Sequence, residues 1–414
     1  MTRRRSPINA LRSSTRAVKA LAMLAKCALV AALVGLPTGV IGGGAFGYSD
    51  AESLLLKALR EISLTQLDSA RKTIGELLER YPNYRLAHLV QGDLWMAKSR
   101  AIVSIGNSTP TLQTDLLSGL RAEATARVKR GQDAFKPEHI PANFWRVPPT
   151  QPYALAVDVD KSRLYVLSNE NGRLVRIADF YATIGKAGSG KAREGDQRTP
   201  LGAYTLLGSI SREKLTDLYG AGAFPLDYPN TWDRIQGRNG FGIWLHGVPS
   251  DTYARAPRSS DGCVVVSNPD LKLIEKFIAP GRTSFLIEQS IDWVDKDTAG
   301  KQSQALLTAV ERWRSDWQAL DTQRYLQHYA PSFVSDTQRL PEWREQKRAV
   351  NAAKTWAKID LGNLSAVQYP GEKTLAVVTF DQNYQSNNLS GQTRKRQLWQ
   401  LIDGRWQIIY EGSA

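Results

Sequence analysis

The stretch ALAVDVDKSRLYVL, residues 154–167, decides the fold of the central part of this chain. Its two ends, ALAVDV and RLYVL, are rich in the aliphatic and β-branched residues that favour strands. The polar tripeptide at 160–162 separates them and predicts a tight β-hairpin. Further strand-like segments continue as far as His246 and beyond it. We therefore expect a mostly-β domain over residues 153–289.

Upstream of this domain the pattern indicates helices. Apolar residues recur every three to five positions between Leu54 and Leu78, and a Tyr-Pro-Asn break follows at 81–83. A second helix with small residues comes next, so the segment resembles one tetratricopeptide-like repeat, which must pack on a neighbour. We predict a helical region over 48–135 and a proline-rich linker over 136–152.

The last part, residues 303–414, begins with helices and ends with strands. Apolar residues from Leu306 to Trp317 repeat with a helical period, and a meander of four strands is predicted from residue 361 onward. Asp403-Gly404 is typical of a type I′ turn between the last two strands. The sequence thus predicts a multidomain α+β protein.

The N-terminal segment, residues 1–47, has the order of an export signal. Its first 26 residues hold seven Lys or Arg and no acidic residue, and an apolar run begins at Cys27. Ala45 and Gly47 suit the −3 and −1 positions of a cleavage site. A retained anchor in the inner membrane is the alternative, because residues 27–45 are nearly long enough to span a bilayer. Both alternatives predict a periplasmic protein.

Net charge and composition narrow the partners. Removing the seven basic residues of the signal from the +14 of the whole chain leaves about +7. This excess suits an anionic polymer of the cell envelope or a solvated surface. Zinc-finger spacing, helix-turn-helix and aromatic-basic RNA motifs are absent from the sequence, so we predict no nucleic-acid partner. The four histidines do not form a His-rich motif, and we predict no metal or cofactor.

Cys263 is the residue on which the chemistry depends. It is the only cysteine outside the signal, so it is a buried filler, an intermolecular link or a reactive thiol. His246 ends a predicted strand 17 residues upstream and is suited to removing the thiol proton. Gly262 allows backbone amides around Asp261 to approach an oxyanion, and Ser260 suits orienting the imidazole or the substrate. From residue types alone, a structural histidine with a buried cysteine remains the other alternative.

Three ordered motifs resemble those of the YkuD-type L,D-transpeptidases. They are His246-Gly247 with Ser260-x-Gly262-Cys263, then EGDQRTPLGAY at 194–204 and FPLDYPN at 224–230. The aromatic residues after Trp313 and the run FDQNY at 380–384 are similar to those of NTF2-like domains, which form an α+β cone. The whole architecture resembles the cell-shape L,D-carboxypeptidases of helical bacteria.

The resemblance implies acyl transfer on peptidoglycan stem peptides. Cys263 would attack the bond between the diamino acid and D-Ala of a tetrapeptide, and His246 would serve as base and then acid. The thioester would pass to an amine, giving a transpeptidase, or to water, giving a carboxypeptidase. The site residues implied beyond these two are Gly247, Ser260, Asp261 and Gly262 at the catalytic loop, and Tyr204, Trp244, Arg255 and Arg258 toward the substrate.

One departure from the family pattern concerns the acyl acceptor. The family motif ends S-x-G-C-x-R, and Val265 stands where the arginine would be. Valine cannot offer a bidentate partner to a carboxylate, so Arg255, Arg258 or Arg193 is expected to serve instead. A wall-binding scaffold without activity and a hydrolase that releases wall-attached proteins are further hypotheses. The helical and NTF2-like regions are the expected sites for a protein partner.

Overall fold

The chain folds as a multidomain α+β protein, which confirms the predicted fold class. The structure is a computed structural model that describes residues 50–107, 114–132 and 136–414. The predicted export signal, including Cys27, lies outside the described residues. Within these ranges, no helix combines the length and the apolar character needed to cross a bilayer.

The described elements follow the predicted order of helices, then strands, then helices and strands. The helices are α1 (Asp50–Ser63), α2 (Leu67–Arg80), α3 (Arg85–Met96), α4 (Thr114–Gln132), α5 (Thr231–Ile235), α6 (Asn268–Ile274), α7 (Lys296–Gln318), α8 (Thr322–Gln327) and α9 (Leu340–Ala352). The strands are β1 (Ile140–Pro141), β2 (Phe144–Arg146), β3 (Tyr153–Asp158), β4 (Arg163–Glu170), β5 (Arg173–Tyr181), β6 (Ile184–Gly185), β7 (Gly202–Thr205), β8 (Ala223–Pro225), β9 (Trp244–His246), β10 (Arg258–Ser260), β11 (Val264–Val265), β12 (Ser284–Glu288), β13 (Trp293–Val294), β14 (Tyr329–Ser335), β15 (Ala357–Gln368), β16 (Leu375–Ser386), β17 (Ser390–Ile402) and β18 (Arg405–Ser413).

Helices α1 to α4 form the N-terminal helical region around their own apolar core. Leu55, Ile74 and Leu77 are fully buried in it, as the helical periodicity predicts. The Tyr-Pro-Asn break separates α2 from α3. Tyr253, from the central domain, also belongs to this core. The tetratricopeptide-like assignment stays a prediction.

The segment predicted as a linker, residues 136–152, is instead built into the neighbouring domains. Strand β1 pairs with β13, and β2 pairs with β15 of the C-terminal sheet. Phe144 and Val147 are buried among residues of the central domain. Strands of two or three residues are too short to show a period-2 pattern, so the sequence showed only the prolines around them.

The central domain is built on a five-stranded sheet in the order β5-β4-β3-β12-β7. The hairpin predicted from residues 154–167 is present as β3 and β4, and Ser162 adopts the positive φ of 54° that its turn requires. A smaller sheet, β11-β9-β8, packs on the same core through Leu245 and Val264. This smaller sheet carries the residues of the candidate site.

A buried cluster of charges joins the helical region to the central sheet. The Arg163 guanidinium donates to both Glu52 carboxylate oxygens, at 2.7 and 3.0 Å, and also contacts Asp179. Arg130 of α4 donates to the other Asp179 oxygen at 2.5 Å. Burial alone would raise the pKa of Asp179, but Arg163 and Arg130 outweigh it and lower that pKa to about 2. The domains therefore meet through paired charges, each of which would be costly to leave alone.

The C-terminal domain wraps a curved sheet around an aromatic core. Its sheet runs β14-β18-β17-β16-β15-β2, with helices α7 to α9 against it. Trp313, Tyr325 and Tyr329 are at most 1% exposed, so the predicted cone is filled by its own side chains at these positions. Asp403 and Gly404 both have positive φ, which confirms the type I′ turn.

Candidate active site

The small sheet places Cys263 and His246 on the same face. Strand β11 runs parallel to β9, with Val264 opposite Leu245 and Val265 opposite His246. Side chains alternate along a strand, and Leu245 and Val264 point into the core, where both are fully buried. His246, Trp244 and Cys263, the residue before β11, therefore project from the other face. Two side chains that are far apart in sequence become neighbours on one surface.

His246 is held in one tautomer by its own backbone. Its Nδ1 lies 2.7 Å from the carbonyl oxygen of Gly247, and a carbonyl only accepts hydrogen bonds. The proton therefore sits on Nδ1, and Nε2 keeps its lone pair as the basic nitrogen. The ring is almost fully buried and packs edge-on against Tyr219, with 5.1 Å between ring centroids.

Both members of the pair are neutral at rest. Burial lowers the pKa of His246 to about 4, aided by the nearby Arg255 charge and opposed by the Gly247 hydrogen bond. Burial likewise raises the pKa of the Cys263 thiol, opposed by a hydrogen bond from the Trp244 backbone. The thiol donates to the Gly242 carbonyl at 3.3 Å. A neutral imidazole beside a neutral thiol is suited to general-base activation during attack rather than to a standing thiolate.

The turn before Cys263 is fixed so that one amide is left for a ligand. The Gly262 carbonyl accepts from Thr199 Oγ1 at 2.9 Å, and the two sides of a trans peptide point in opposite directions. The Cys263 N–H therefore points away from Thr199, and no acceptor for it lies among the described residues. The Gly262 amide is already used, because it donates to Ser260 Oγ at 3.2 Å.

Gly262 is the only kind of residue that this turn admits. Its φ is +125°, and a Cβ there would lie 2.8 Å from the backbone oxygen of Arg198. Ser260 Oγ donates to the Cys263 carbonyl at 2.7 Å, so Ser260 orients the cysteine turn itself. Gly247 meets a similar limit, since a Cβ would lie 2.1 Å from Asn268 Oδ1.

Comparison with known families identifies the two domains that follow the helical region. Residues 152–287 match the L,D-transpeptidase catalytic domain, YkuD, and residues 305–412 match the Cds6 C-terminal NTF2-like domain. The chain carries a YkuD catalytic domain followed by an NTF2-like domain. The YkuD match supports a cysteine-dependent enzyme that modifies peptidoglycan.

Two solved structures share this architecture. Bd1075 from Bdellovibrio bacteriovorus is 29% identical, with 67% of this chain and 98% of that chain covered and a TM-score of 0.60. Pgp2 from Campylobacter jejuni, a helical cell shape determining protein, is 24% identical, with coverage of 66% and 94% and a TM-score of 0.54. A search of curated proteins finds no match.

Residues of the YkuD domain that the sequence did not single out support the catalytic turn. Thr199 is fully buried, and besides donating to Gly262 it accepts from the Gly185 amide at 2.9 Å. It lies inside the run 194–204, which was its only signal in the sequence. Asn268 was expected to cap α6, but Ser267 is the cap. The Asn268 amide instead binds Ala221 and Val248, which holds the backbone after His246.

Asp261 of the YkuD domain links the cysteine turn to the neighbouring loop. Its exposed carboxylate accepts from Lys186 Nζ at 3.0 Å and from Gln197 Nε2 at 3.3 Å. Asp196 in that loop pairs with Lys191 at 2.9 Å rather than with the Arg198 side chain, as its sequence position had suggested. Among the described residues, no group of acidic, His and Cys side chains is arranged to hold a metal ion.

The predicted substrate residues of the YkuD domain fall in different places. Trp244 is half-buried, and its ring packs against Tyr219 at 4.8 Å beside His246. Arg255 is half-buried, and its charge acts on both His246 and Cys263. Arg258 is exposed on β10. Tyr204 is 2% exposed and lies away from this group, where its hydroxyl donates to Asp233 at 3.1 Å.

The third motif of the YkuD domain, FPLDYPN, faces the NTF2-like domain. Arg396 of β17 donates to Asp227 at 3.3 Å, and Asn230 donates to the Tyr369 hydroxyl at 3.0 Å. Trp232, just after the motif, is buried among residues of the C-terminal sheet. The motif therefore holds the two domains together, a role that only the tertiary structure reveals.

Val265 occupies the position of the family arginine without replacing its chemistry. It is 1% exposed and pairs with both His246 and Thr183. A guanidinium in this buried position would need a partner that the strand does not offer. Of the three arginines proposed to serve instead, Arg255 is the one whose charge reaches the thiol.

Proposed function

We propose that the protein edits peptidoglycan stem peptides by a cysteine acyl-enzyme mechanism, as an L,D-transpeptidase. The observation that carries the proposal is the neutral Cys263–His246 pair on one face of the small sheet, beside an unused Cys263 amide. A thiol, a base with a fixed tautomer and an oxyanion donor are the three parts that acyl transfer needs.

The first half-reaction uses these three parts in order. The Cys263 sulfur attacks the carbonyl carbon at the L-centre of the diamino acid, and the thiol proton passes to His246 Nε2. The Cys263 N–H donates to the oxyanion that forms. The C–N bond then breaks, and His246 returns the proton to the amine of the departing D-Ala. The product is a thioester on Cys263.

The second half-reaction differs only in the acceptor. An amine from another stem peptide gives up a proton to His246, attacks the thioester and forms a crosslink while the thiol is restored. Water in the same position gives a tripeptide, which is the carboxypeptidase reaction. Hydrolysis is the second candidate, because Val265 leaves Arg255 as the only arginine whose charge reaches the thiol, and two peptides bring two sets of carboxylates.

Product analysis separates the two candidates. We expect the purified protein to release D-Ala from tetrapeptide muropeptides and to produce new dimers, identified by mass spectrometry. Tripeptide without new dimers would assign the hydrolytic reaction instead. No product at all, together with complementation of a deletion strain by a Cys263→Ala variant, would favour a scaffold without activity.

The place of action belongs to the same proposal. We propose that residues 1–47 direct the chain to the periplasm, where its substrate lies, either by cleavage or as an anchor. A bond between the wall and an attached protein has the same chemistry as the stem-peptide bond, so release of wall-attached protein is a further substrate to include in the product assay.

Thr199 should control the turnover of the site. In a Thr199→Val variant the Gly262 carbonyl and the Gly185 amide lose their shared partner, and the turn before Cys263 is free to rotate. We expect kcat to fall about tenfold or more and the unfolding free energy to fall by about 1–3 kcal/mol. Thr199→Ser keeps the hydroxyl and should restore most of both. Equal losses in the two variants would contradict this role.

A further inference from the structure

The loop between His246 and Cys263 is packed on the N-terminal helical region. The Tyr253 ring lies between two tyrosines at the break after α2, with centroid distances of 5.2 Å to Tyr81 and 4.3 Å to Tyr84. Tyr253 is 6% exposed and lies in the helical core rather than in the core of its own domain. A large aromatic ring that is buried in a neighbouring domain fixes the loop that carries it.

Polar contacts fix the same loop from both sides of this ring. Asn83 donates from its side chain to the Ser250 carbonyl at 2.9 Å, and its own carbonyl accepts from the Tyr253 amide at 3.2 Å. Helix α4 approaches closely at Gly119, where a Cβ would lie 3.1 Å from the Ala256 side chain. The helical region therefore contacts this loop at three successive points.

Arg255 follows directly and is held at the active site. Its carbonyl accepts from the Tyr181 hydroxyl at 2.9 Å and from Thr183 Oγ1 at 3.2 Å. Its guanidinium extends to within 3.5 Å of the Leu218 carbonyl, beside the Tyr219 ring that packs on His246. No carboxylate among the described residues forms an ion pair with it, so its charge is available to a ligand.

We propose that the helical region positions Arg255 at the thiol through the clamped Tyr253, and that Arg255 binds a carboxylate of the substrate. Tyr253 is then a positioning residue, and residues 50–132 are a working part of the active site although they lie outside both family matches. The choice of a carboxylate-bearing peptide rests on the proposed function. The positioning of Arg255 does not.

Alkylation of the thiol tests the positioning without any enzymatic assay. Iodoacetate and iodoacetamide both react with the thiolate, so the ratio of their rates cancels the thiolate fraction and reports the local charge. In a chain carrying Cys27→Ser, Cys263 is the only thiol. We expect Arg255→Gln to lower the iodoacetate-to-iodoacetamide ratio about fivefold, as for the loss of one nearby charge. Tyr253→Ala should lower it by a similar factor, and the double variant should show no further loss.

Matched variants distinguish positioning from general stability. Tyr253→Phe keeps the ring and should keep the wild-type ratio, and Asn83→Ala, at an exposed side chain, should lower it partly. Leu94→Ala makes a cavity in the same core near the far end of α3 and should lower the melting temperature while leaving the ratio unchanged. A wild-type ratio in both Tyr253→Ala and Asn83→Ala would overturn the positioning.

The substrate part of the proposal has its own readout. With a tetrapeptide muropeptide, Arg255→Gln and Tyr253→Ala should raise KM about fivefold or more with a smaller change in kcat, because a carboxylate contact is lost. A lowered alkylation ratio with unchanged KM would keep the positioning and overturn the carboxylate. Absence of activity in the wild-type chain would overturn the proposed function, and with it the carboxylate, while the alkylation result stands.

Discussion

Replacing Cys263 with serine should lower the rate of D-Ala release by about ten-thousand-fold or more. Serine keeps the shape of the side chain, but its hydroxyl is a far weaker acid than a thiol, and His246 with a pKa of about 4 is too weak a base to activate it. The measurement is single-turnover release of D-Ala from a tetrapeptide muropeptide, followed by mass spectrometry. The thioester intermediate should also be absent from the intact mass of the variant.

The same substitution at the other cysteine supplies the control. Cys27→Ser changes the thiol count equally and should leave the rate of the purified protein unchanged. Folding of Cys263→Ser is checked by its melting temperature, because the side chain is only partly buried. A Cys263→Ser rate within tenfold of the wild type would contradict a cysteine nucleophile.

His246→Ala should lower kcat/KM by about a hundred- to ten-thousand-fold. The variant removes the only basic nitrogen that the small sheet presents on the face of Cys263, and the buried thiol keeps its proton at neutral pH. Exposed His88 provides a matched control, since its ring contacts only the Pro82 carbonyl at 2.7 Å among the contacts described for it. His88→Ala should keep the wild-type kcat/KM. Equal losses in the two variants would contradict the assignment.

The pH dependence should carry the mark of this buried imidazole. Because the pKa of His246 is lowered from 6.5 to about 4, kcat/KM should stay level as the pH falls through 6.5 and drop only near pH 4. The unfolded chain takes up the proton first, so the stability that His246 contributes is complete above pH 6.5 and is lost as the pH falls toward 4. An acid limb near pH 6.5, with the fold intact by circular dichroism, would contradict this environment.

Local patterns explain why much of this architecture was predictable. The hairpin at 154–167, the strand that ends on His246 and the Gly262-Cys263 turn depend on residues close together in sequence, and strand period and turn chemistry are local properties. The same holds for the type I′ turn at 403–404. The two short strands in 136–152 escaped prediction because their pairing partners lie more than 150 residues away.

Site residues followed the same division. Cys263, His246 and Trp244 were proposed from the sequence and lie together, whereas Tyr204 was proposed with them and lies apart. Nothing local distinguishes Tyr204 from Trp244, since both are aromatics in short strands. Thr199 was missed because a buried threonine has no sequence signal until its two hydrogen-bond partners are known.

The sequence by itself determined the nucleophile, the base and the order of the domains, because a lone cysteine after glycine and the alternation of strands are readable without contacts. Only the tertiary structure decided which arginine faces the thiol. Arg255 gains that position because Tyr253 is buried between Tyr81 and Tyr84, about 170 residues upstream. A pairing of that range is set by packing, which no local pattern encodes, and it makes the helical region part of the site.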